Sequence, residues 1–148
     1  MHPTLRFLIL FAALTVGATG CTQPIRPVSL GARPVAPDAD YSDLAVVLAE
    51  AVDAEGYILY AELRVLRNRL NDQLRRLAVT GPRATPLLLP GDADRLAYWY
   101  NARLAWAIRL ALDQQCPSHL PPRQLERRPF PLDGRQMTLA EIDDILAT

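Results

Sequence analysis

Residues 92–114, DADRLAYWYNARLAWAIRLALDQ, form the longest segment of the chain with a helical apolar pattern. The segment begins with two aspartates, whose carboxylates favour the positive N-terminal end of a helix. Its tryptophans, leucines and alanines cover more than half of the helical circumference. A helix that is apolar over so much of its surface is typical of the centre of a domain. We therefore predict one long, central helix.

Three further helices with one apolar face are predicted around the central one. The first begins with Ser42 as a cap and ends before Gly56, and the second covers residues 62–77 with a row of leucines on one face. The last begins at Thr138, which forms a capping box with Glu141.

Two short β elements complete the prediction. Residues 57–60, Tyr-Ile-Leu-Tyr, are typical of a short strand. Asp133-Gly134 favours a tight hairpin turn, and the prolines near it confine the hairpin to an edge. The predicted fold class is α+β and predominantly helical, with about four helices, a short strand and a small edge hairpin in a single domain.

The first 21 residues have the layout of a secretory leader. Arg6 precedes the apolar run 7–16, which is followed by small residues. The motif Ala-Thr-Gly-Cys at 18–21 resembles the bacterial lipobox, in which the cysteine is acylated and becomes the mature N-terminus. We expect a signal peptide over residues 1–20 and lipidation of Cys21. The alternative is an ordinary signal peptide that is cleaved nearby.

Residues 21–40 follow as the lipidated cysteine and a tether whose recurring prolines favour an extended conformation. The folded domain is predicted over residues 41–148. Several acyl chains hold a protein stably on a membrane without a spanning helix. We therefore expect an exported protein of the cell envelope, anchored at the outer membrane or on the periplasmic side if the host has two membranes.

The charged residues argue against one class of partner. The chain has 16 arginines, no lysine and 16 acidic residues, so its formal net charge is zero. The arginines are scattered along the sequence, whereas nucleic-acid binding calls for a basic domain or stripe. We expect no nucleic acid as a partner. The expected partners are a membrane, through the lipid anchor, and a protein of the envelope.

The sequence holds few groups for catalysis. His119 is the one histidine that remains after removal of the leader, so a metal site of several histidines is excluded, and we expect no metal and no cofactor. Cys116 lies three residues before it, which makes a weak candidate thiol and imidazole pair. Tyr60, Trp99 and Asn101 are candidates to line a polar pocket, although Asn101 has a structural alternative as a partner of the backbone.

Parts of the sequence resemble the domain of unknown function 547 family. Gly56 and Tyr60 match its Gly-x-Val-x-Tyr strand, and the run Leu-Ala-Tyr-Trp-Tyr-Asn-Ala at 96–102 aligns with its Leu-Ala-Phe-Trp-Ile-Asn-Ala helix without a gap. The family's Ser/Thr-Leu-x-x-Ile helix is matched at 138–142. The resemblance covers the N-terminal part of the family domain and identifies 41–148 as a partial domain.

Two departures from the family pattern bear on function. Arg103 and Leu104 replace a tyrosine and a second asparagine of the family helix, and the family continues beyond the last helix of this chain. The resemblance thus implies a shortened, non-catalytic relative, which we expect to be a binding or structural module. One alternative is an enzyme of a thiol or polar-pocket, hydrolase-like type, using the pocket residues above and the Cys116 thiol. Another is a truncated fragment without a function of its own.

Overall fold

The computed structural model describes residues 25–31, 33–113 and 122–148. It is 58% helical with a small two-stranded antiparallel sheet, which confirms the predicted α+β, predominantly helical class. A short 3₁₀ turn, Pro86–Leu88, lies in the connection that precedes the longest helix. The elements of the described part are α1 Ser42–Ala51, α2 Tyr60–Val65, α3 Arg67–Val79, α4 Asp92–Asp113, α5 Pro122–Glu126, β1 Phe130–Leu132, β2 Arg135–Met137 and α6 Leu139–Leu146.

The centre of the domain is the antiparallel pair of α3 and α4. Asn71 of α3 contacts Arg109 of α4, whereas Leu77 contacts Tyr98, so the two helices run in opposite directions. The buried side of α4 carries small residues at 102 and 105, which allow the helices to approach closely. The following core residues are buried in this pair: Leu70, Leu74, Leu77, Tyr98, Ala102, Ala105, Trp106, Leu110 and Leu112.

The predicted hairpin is confirmed as strands β1 and β2. Phe130 pairs with Met137, and its ring stacks on Trp106 with a centroid separation of 4.2 Å. The turn residues Asp133 and Gly134 have φ angles of 52° and 72°. Two successive positive φ angles are the requirement of a type I′ turn, which Asp-Gly meets with little strain.

The hairpin turn also closes the end of α3. The Asp133 N–H donates to the Leu77 carbonyl over 3.1 Å, and the Gly134 N–H donates to the Ala78 carbonyl over 2.8 Å. The buried Tyr98 hydroxyl donates to the same Leu77 carbonyl over 3.0 Å. The last carbonyls of a helix have no partner within it, so these three donors satisfy groups that would otherwise be buried unpaired.

The Asp133 carboxylate ties the same turn to the loop that follows α3. Its oxygens accept from the Arg83 N–H over 3.0 Å and from the Ala84 N–H over 2.8 Å. The side chain is almost fully buried. Two backbone donors compensate a buried carboxylate for the water that it loses.

Two predicted elements differ in detail from the structure. The helix predicted over 62–77 is interrupted at Leu66 into α2 and α3, although its row of leucines is buried as expected. The strand predicted over 57–60 is reduced to one antiparallel bridge between Val52 and Ile58. The Asp53 carboxylate accepts from the Tyr57 N–H over 2.7 Å and so forms a turn where a longer strand would need extended backbone.

The helix count and one cap also need correction. The described residues form six α-helices where about four were predicted, because the second one is divided and the short α5 was not expected. Ser42 begins α1, but the acceptor of its N–H is the Asp40 carboxylate, 2.9 Å away. The hydrogen bonds from Ser42 lower the pKa of Asp40. At α6 the predicted capping box is confirmed, since Thr138 and Glu141 accept from each other's backbone N–H groups.

The segment before α1 is extended, but it is not a free tether. Val28 is buried, and its N–H donates to the Pro129 carbonyl over 2.9 Å. The Leu30 carbonyl accepts from Arg75 of α3, and the Asp38 N–H donates to the Thr80 hydroxyl. An extended, proline-rich chain leaves its carbonyls without internal partners, so they are available to arginines of a neighbouring helix. The packed region therefore begins near Val28 and not at residue 41.

Gly81 offers a test of the closure of α3. A Cβ at this position would lie 2.2 Å from the Asp133 Oδ1, so the Gly81→Ala variant must displace a buried carboxylate from its two backbone donors. We expect a loss of about 3 kcal/mol in the free energy of unfolding, measured by urea denaturation.

The matched control is Gly91→Ala, where the nearest atom is an oxygen of the Asp94 side chain at 3.1 Å. That side chain is exposed and can rotate, so the control should lose less than about 1 kcal/mol. Equal losses in the two variants would contradict the role assigned to the Asp133 carboxylate.

Candidate functional site

A groove of about 450 Å³ lies between α4 and α6. Its floor and walls are mainly apolar, with one amide and one ion pair. The groove is lined by Tyr100, Asn101, Arg103, Leu104, Asp143 and Leu146. Four of these residues come from successive turns of α4, and the other two come from the face of α6 that packs against it.

The ion pair at the edge of the groove is bidentate. The Arg103 guanidinium donates from Nε to one oxygen of the Asp143 carboxylate, and from a terminal nitrogen to the other over 3.1 Å. This hydrogen bonding raises the pKa of Arg103. Both side chains are partly exposed, so the pair adds little to stability, and α6 is held in place mainly by its buried Leu139 and Ile142.

Asn101 also lies near Tyr41, the residue that precedes α1. Burial raises the pKa of the Tyr41 phenol, and the nearby Asn101 amide opposes this rise. Asn101 is half-buried. Its neighbour here is Tyr41, whereas the sequence had suggested a backbone group of a neighbouring strand.

One of the three residues predicted to line a common pocket lines the groove between α4 and α6. Asn101 lines the groove, but Tyr60 and Trp99 are not among its lining residues. Tyr60 is the first residue of α2 and is half exposed. Trp99 is buried, with its ring edge-on to Tyr98 at a centroid separation of 5.0 Å. Sequence proximity along α4 does not place residues 99 and 101 together, because adjacent positions on a helix point in different directions.

Three further predicted site residues lie outside the described residues. They are Cys21, proposed for lipidation, and the pair of Cys116 and His119. The structure therefore leaves the predictions of lipidation and of a thiol and imidazole pair as they stood.

Beside the groove, α4 exposes a continuous apolar face that the sequence did not identify. Leu96, Tyr100 and Leu104 follow one another at four-residue intervals, with exposed fractions of 50%, 57% and 40%. We call this the outer face of α4, and it comprises Ala93, Leu96, Ala97, Tyr100, Leu104 and the half-buried Ala107.

The spacing of the outer-face residues along the chain is a sequence signal for this surface. Positions 93, 97, 100, 104 and 107 are separated alternately by four and three residues. This is the spacing of a seam that receives a second helix. The broad apolar band of α4 predicts a central helix. In the structure, the inner side of this helix is buried and its outer side is exposed.

Within residues 25–31, 33–113 and 122–148, no group of three or more His, Cys, Asp or Glu side chains is arranged to hold a metal ion. None of the helices in these ranges combines the length and apolar character that are needed to cross a bilayer. In the groove itself, the charged groups Arg103 and Asp143 are paired with each other.

No protein-family model, curated protein or solved structure matches this chain. The resemblance to the domain of unknown function 547 family therefore stays a prediction from the sequence motifs, and the function must be argued from the geometry.

Proposed function

We propose that this protein is a lipid-anchored component of the bacterial cell envelope, and that its domain binds an apolar helix of a partner protein on the outer face of α4. The observation that carries the proposal is the exposure of three large apolar side chains, Leu96, Tyr100 and Leu104, in one row on the longest helix. Single exposed apolar residues are common on protein surfaces, whereas a contiguous row next to a groove is typical of an interaction site.

The shape of the outer face favours a helix as the bound element. Tyr100 and Leu104 occupy the middle of the seam, and alanines occupy positions 93, 97 and 107 around them. Two large side chains between small ones allow a second helix to approach closely at both ends while its own side chains pack around Tyr100. The groove between α4 and α6 continues this surface, since Tyr100 and Leu104 belong to both.

The electrostatics of the site fit an apolar ligand. The Arg103 guanidinium and the Asp143 carboxylate neutralise each other at the edge of the groove, so the ligand is not required to bring a compensating charge. An interface with an apolar centre and a paired, polar rim is the usual arrangement in protein complexes.

The same observations favour binding over catalysis at this site. General acid and base catalysis requires a titratable group that can exchange a proton with the substrate. Among the residues that line the groove, the Arg103 and Asp143 groups are engaged with each other, and the Asn101 amide does not titrate. The remaining lining residues are Tyr100, Leu104 and Leu146, and apolar contact with a ligand is sufficient to explain their place in the groove.

The membrane part of the proposal depends on the sequence of the leader. An apolar run after Arg6, followed by Ala-Thr-Gly-Cys at 18–21, supports acylation of Cys21. We therefore expect mass spectrometry of the protein purified from bacterial membranes to find residue 21 as the N-terminus, with its mass increased by covalent acyl groups. A Cys21→Ser variant should lose this modification. An unmodified N-terminus at another residue would contradict the anchor.

The binding face is tested by the Tyr100→Arg variant. A guanidinium in the middle of an apolar interface loses water without gaining a partner, so we expect binding to weaken at least about 100-fold, or about 3 kcal/mol. Gel filtration of detergent-solubilised membranes should find the wild-type protein in a complex larger than the monomer. The Tyr100→Arg variant should elute at the size of the monomer, and Leu104→Arg should behave in the same way.

The control for this experiment is Val65→Arg, on α2, where the side chain is 79% exposed and lies off the outer face. It adds the same charge and should leave the complex intact. Thermal unfolding of each purified variant establishes that the domain remains folded. Elution of the Tyr100→Arg and wild-type proteins at one size would contradict the proposal, as would a complex that contains only copies of this chain.

A further inference from the structure

Three arginines converge on one carboxylate where α3 begins and α4 ends. The Asp113 carboxylate accepts a hydrogen bond from Arg109, and it lies 3.5 Å from a terminal nitrogen of Arg128 and 3.8 Å from one of Arg67. Arg109 is also fixed by Asn71, whose side-chain oxygen accepts from its Nε over 3.1 Å. We call these four charged residues the Asp113 cluster, and it has two positive charges in excess.

The members of the cluster differ in their access to solvent. The Arg109 side chain is buried and the Arg128 side chain is mostly buried, whereas that of Arg67 is 48% exposed. In the part of the chain that the structure describes, Asp113 is the acidic group within ion-pair distance of Arg67. In this cluster, the Arg67 side chain is therefore exposed to solvent, whereas Arg109 and Arg128 lie beneath the surface.

The N-terminal segment reaches the domain at this same place. The Arg128 Nε donates to the Arg26 carbonyl over 3.1 Å, and the Val28 N–H donates to the Pro129 carbonyl next to it. From there the segment continues along α3, since the Leu30 carbonyl is bound by Arg75. Arg26 is exposed, so it adds a further positive charge beside the Asp113 cluster.

The position of Arg26 limits how far this surface can lie from an anchored Cys21. Arg26 follows Cys21 by five positions, and an extended chain over that distance spans at most about 18 Å. Electrostatic attraction between exposed charges extends over a Debye length, which is about 10 Å at 0.1 M salt. A tether this short keeps the domain beside the lipid surface and allows its nearest charges to approach within a Debye length.

We propose that this basic end of the domain, formed by Arg26 and the Asp113 cluster, binds an anionic phospholipid surface. The relevance of this contact in the cell rests on the lipid anchor of the proposed function, but the charge arrangement does not. The arginines supply cations, and arginine pairs well with phosphate oxygens because of its planar donors. Lipid-anchored proteins gain stable attachment from such a second, electrostatic contact.

This orientation leaves the outer face of α4 accessible to a partner. Tyr100 precedes Asp113 by 13 residues, which corresponds to about 20 Å along a helix axis. With the basic end on the membrane, the seam around Tyr100 lies well above the lipid headgroups. The two surfaces therefore serve different ligands at the same time.

The experiment uses the chain from residue 21 onward with Cys21→Ser, so that no acyl group contributes to binding. All described contacts involve residues from 25 onward and are retained. Flotation with vesicles of phosphatidylcholine containing 30% phosphatidylglycerol, at 0.05 M salt, measures the partition coefficient. We expect binding to these vesicles, little binding to pure phosphatidylcholine, and loss of binding at 0.5 M salt.

Matched variants then test the place of contact. Arg26→Gln with Arg67→Gln should lower the partition coefficient about 25-fold, at about fivefold for each arginine near the surface. Arg83→Gln with Arg135→Gln removes the same charge at the opposite end of α3 and should bind like the wild type. Both pairs are exposed, and thermal unfolding checks that each variant is folded. Arg26→Lys with Arg67→Lys keeps the charge and should retain most of the binding.

Equal partition of the two glutamine variants, or equal binding to neutral and anionic vesicles, would overturn the proposal. The result is independent of the acylation experiment. An unmodified Cys21 refutes the anchor whatever the vesicles show, whereas failure to bind anionic vesicles refutes the basic contact even if Cys21 is acylated.

Discussion

The closure of α3 by the hairpin turn is the constraint on which the rest of the fold depends. Donors from the backbone of Asp133 and Gly134, and from the Tyr98 hydroxyl, meet the last carbonyls of the helix in the interior. Burial raises the pKa of Tyr98, which keeps this donor protonated. Because the three donors come from the hairpin and from α4, one set of hydrogen bonds fixes both elements against α3. Any displacement of the turn would leave buried carbonyls unpaired.

Because the inner side of α4 is buried in the domain, its outer side is the one that can contact another molecule. Its inner residues are packed against α3 and the hairpin, and α6 lies at its flank with Leu139 and Ile142 buried and Arg103 paired with Asp143. The outer face is thereby presented on a rigid helix and not on a loop, which lowers the cost of binding. Both proposals depend on how α4 is packed in the domain. Its outer face is the proposed site for a partner helix, and its C-terminal end lies at the proposed membrane contact.

Local signals in the sequence were sufficient for much of the fold. The long helix, the capping box at Thr138 and the Asp-Gly turn each depend on residues close together in the chain, and each was predicted. The packing of Val28 on Pro129 was not, because it joins residues about a hundred positions apart. For the candidate site, the sequence identified Asn101 as a residue of a pocket, but its grouping with Tyr60 stays a prediction, since the relative position of α2 and α4 is set by tertiary packing. The exposed side of α4 was missed because apolar periodicity does not reveal which apolar face is covered.

We propose that the outer face of α4 receives a helix of another protein in the envelope. Site-specific photocrosslinking in living cells tests this contact, with a photoreactive phenylalanine analogue at position 104 and, as the control, at position 65. We expect a discrete adduct from position 104, in which mass spectrometry identifies a helical, apolar segment of a second polypeptide, and none from position 65. Adducts of equal yield from both positions, or adducts at position 104 with lipid alone, would contradict it.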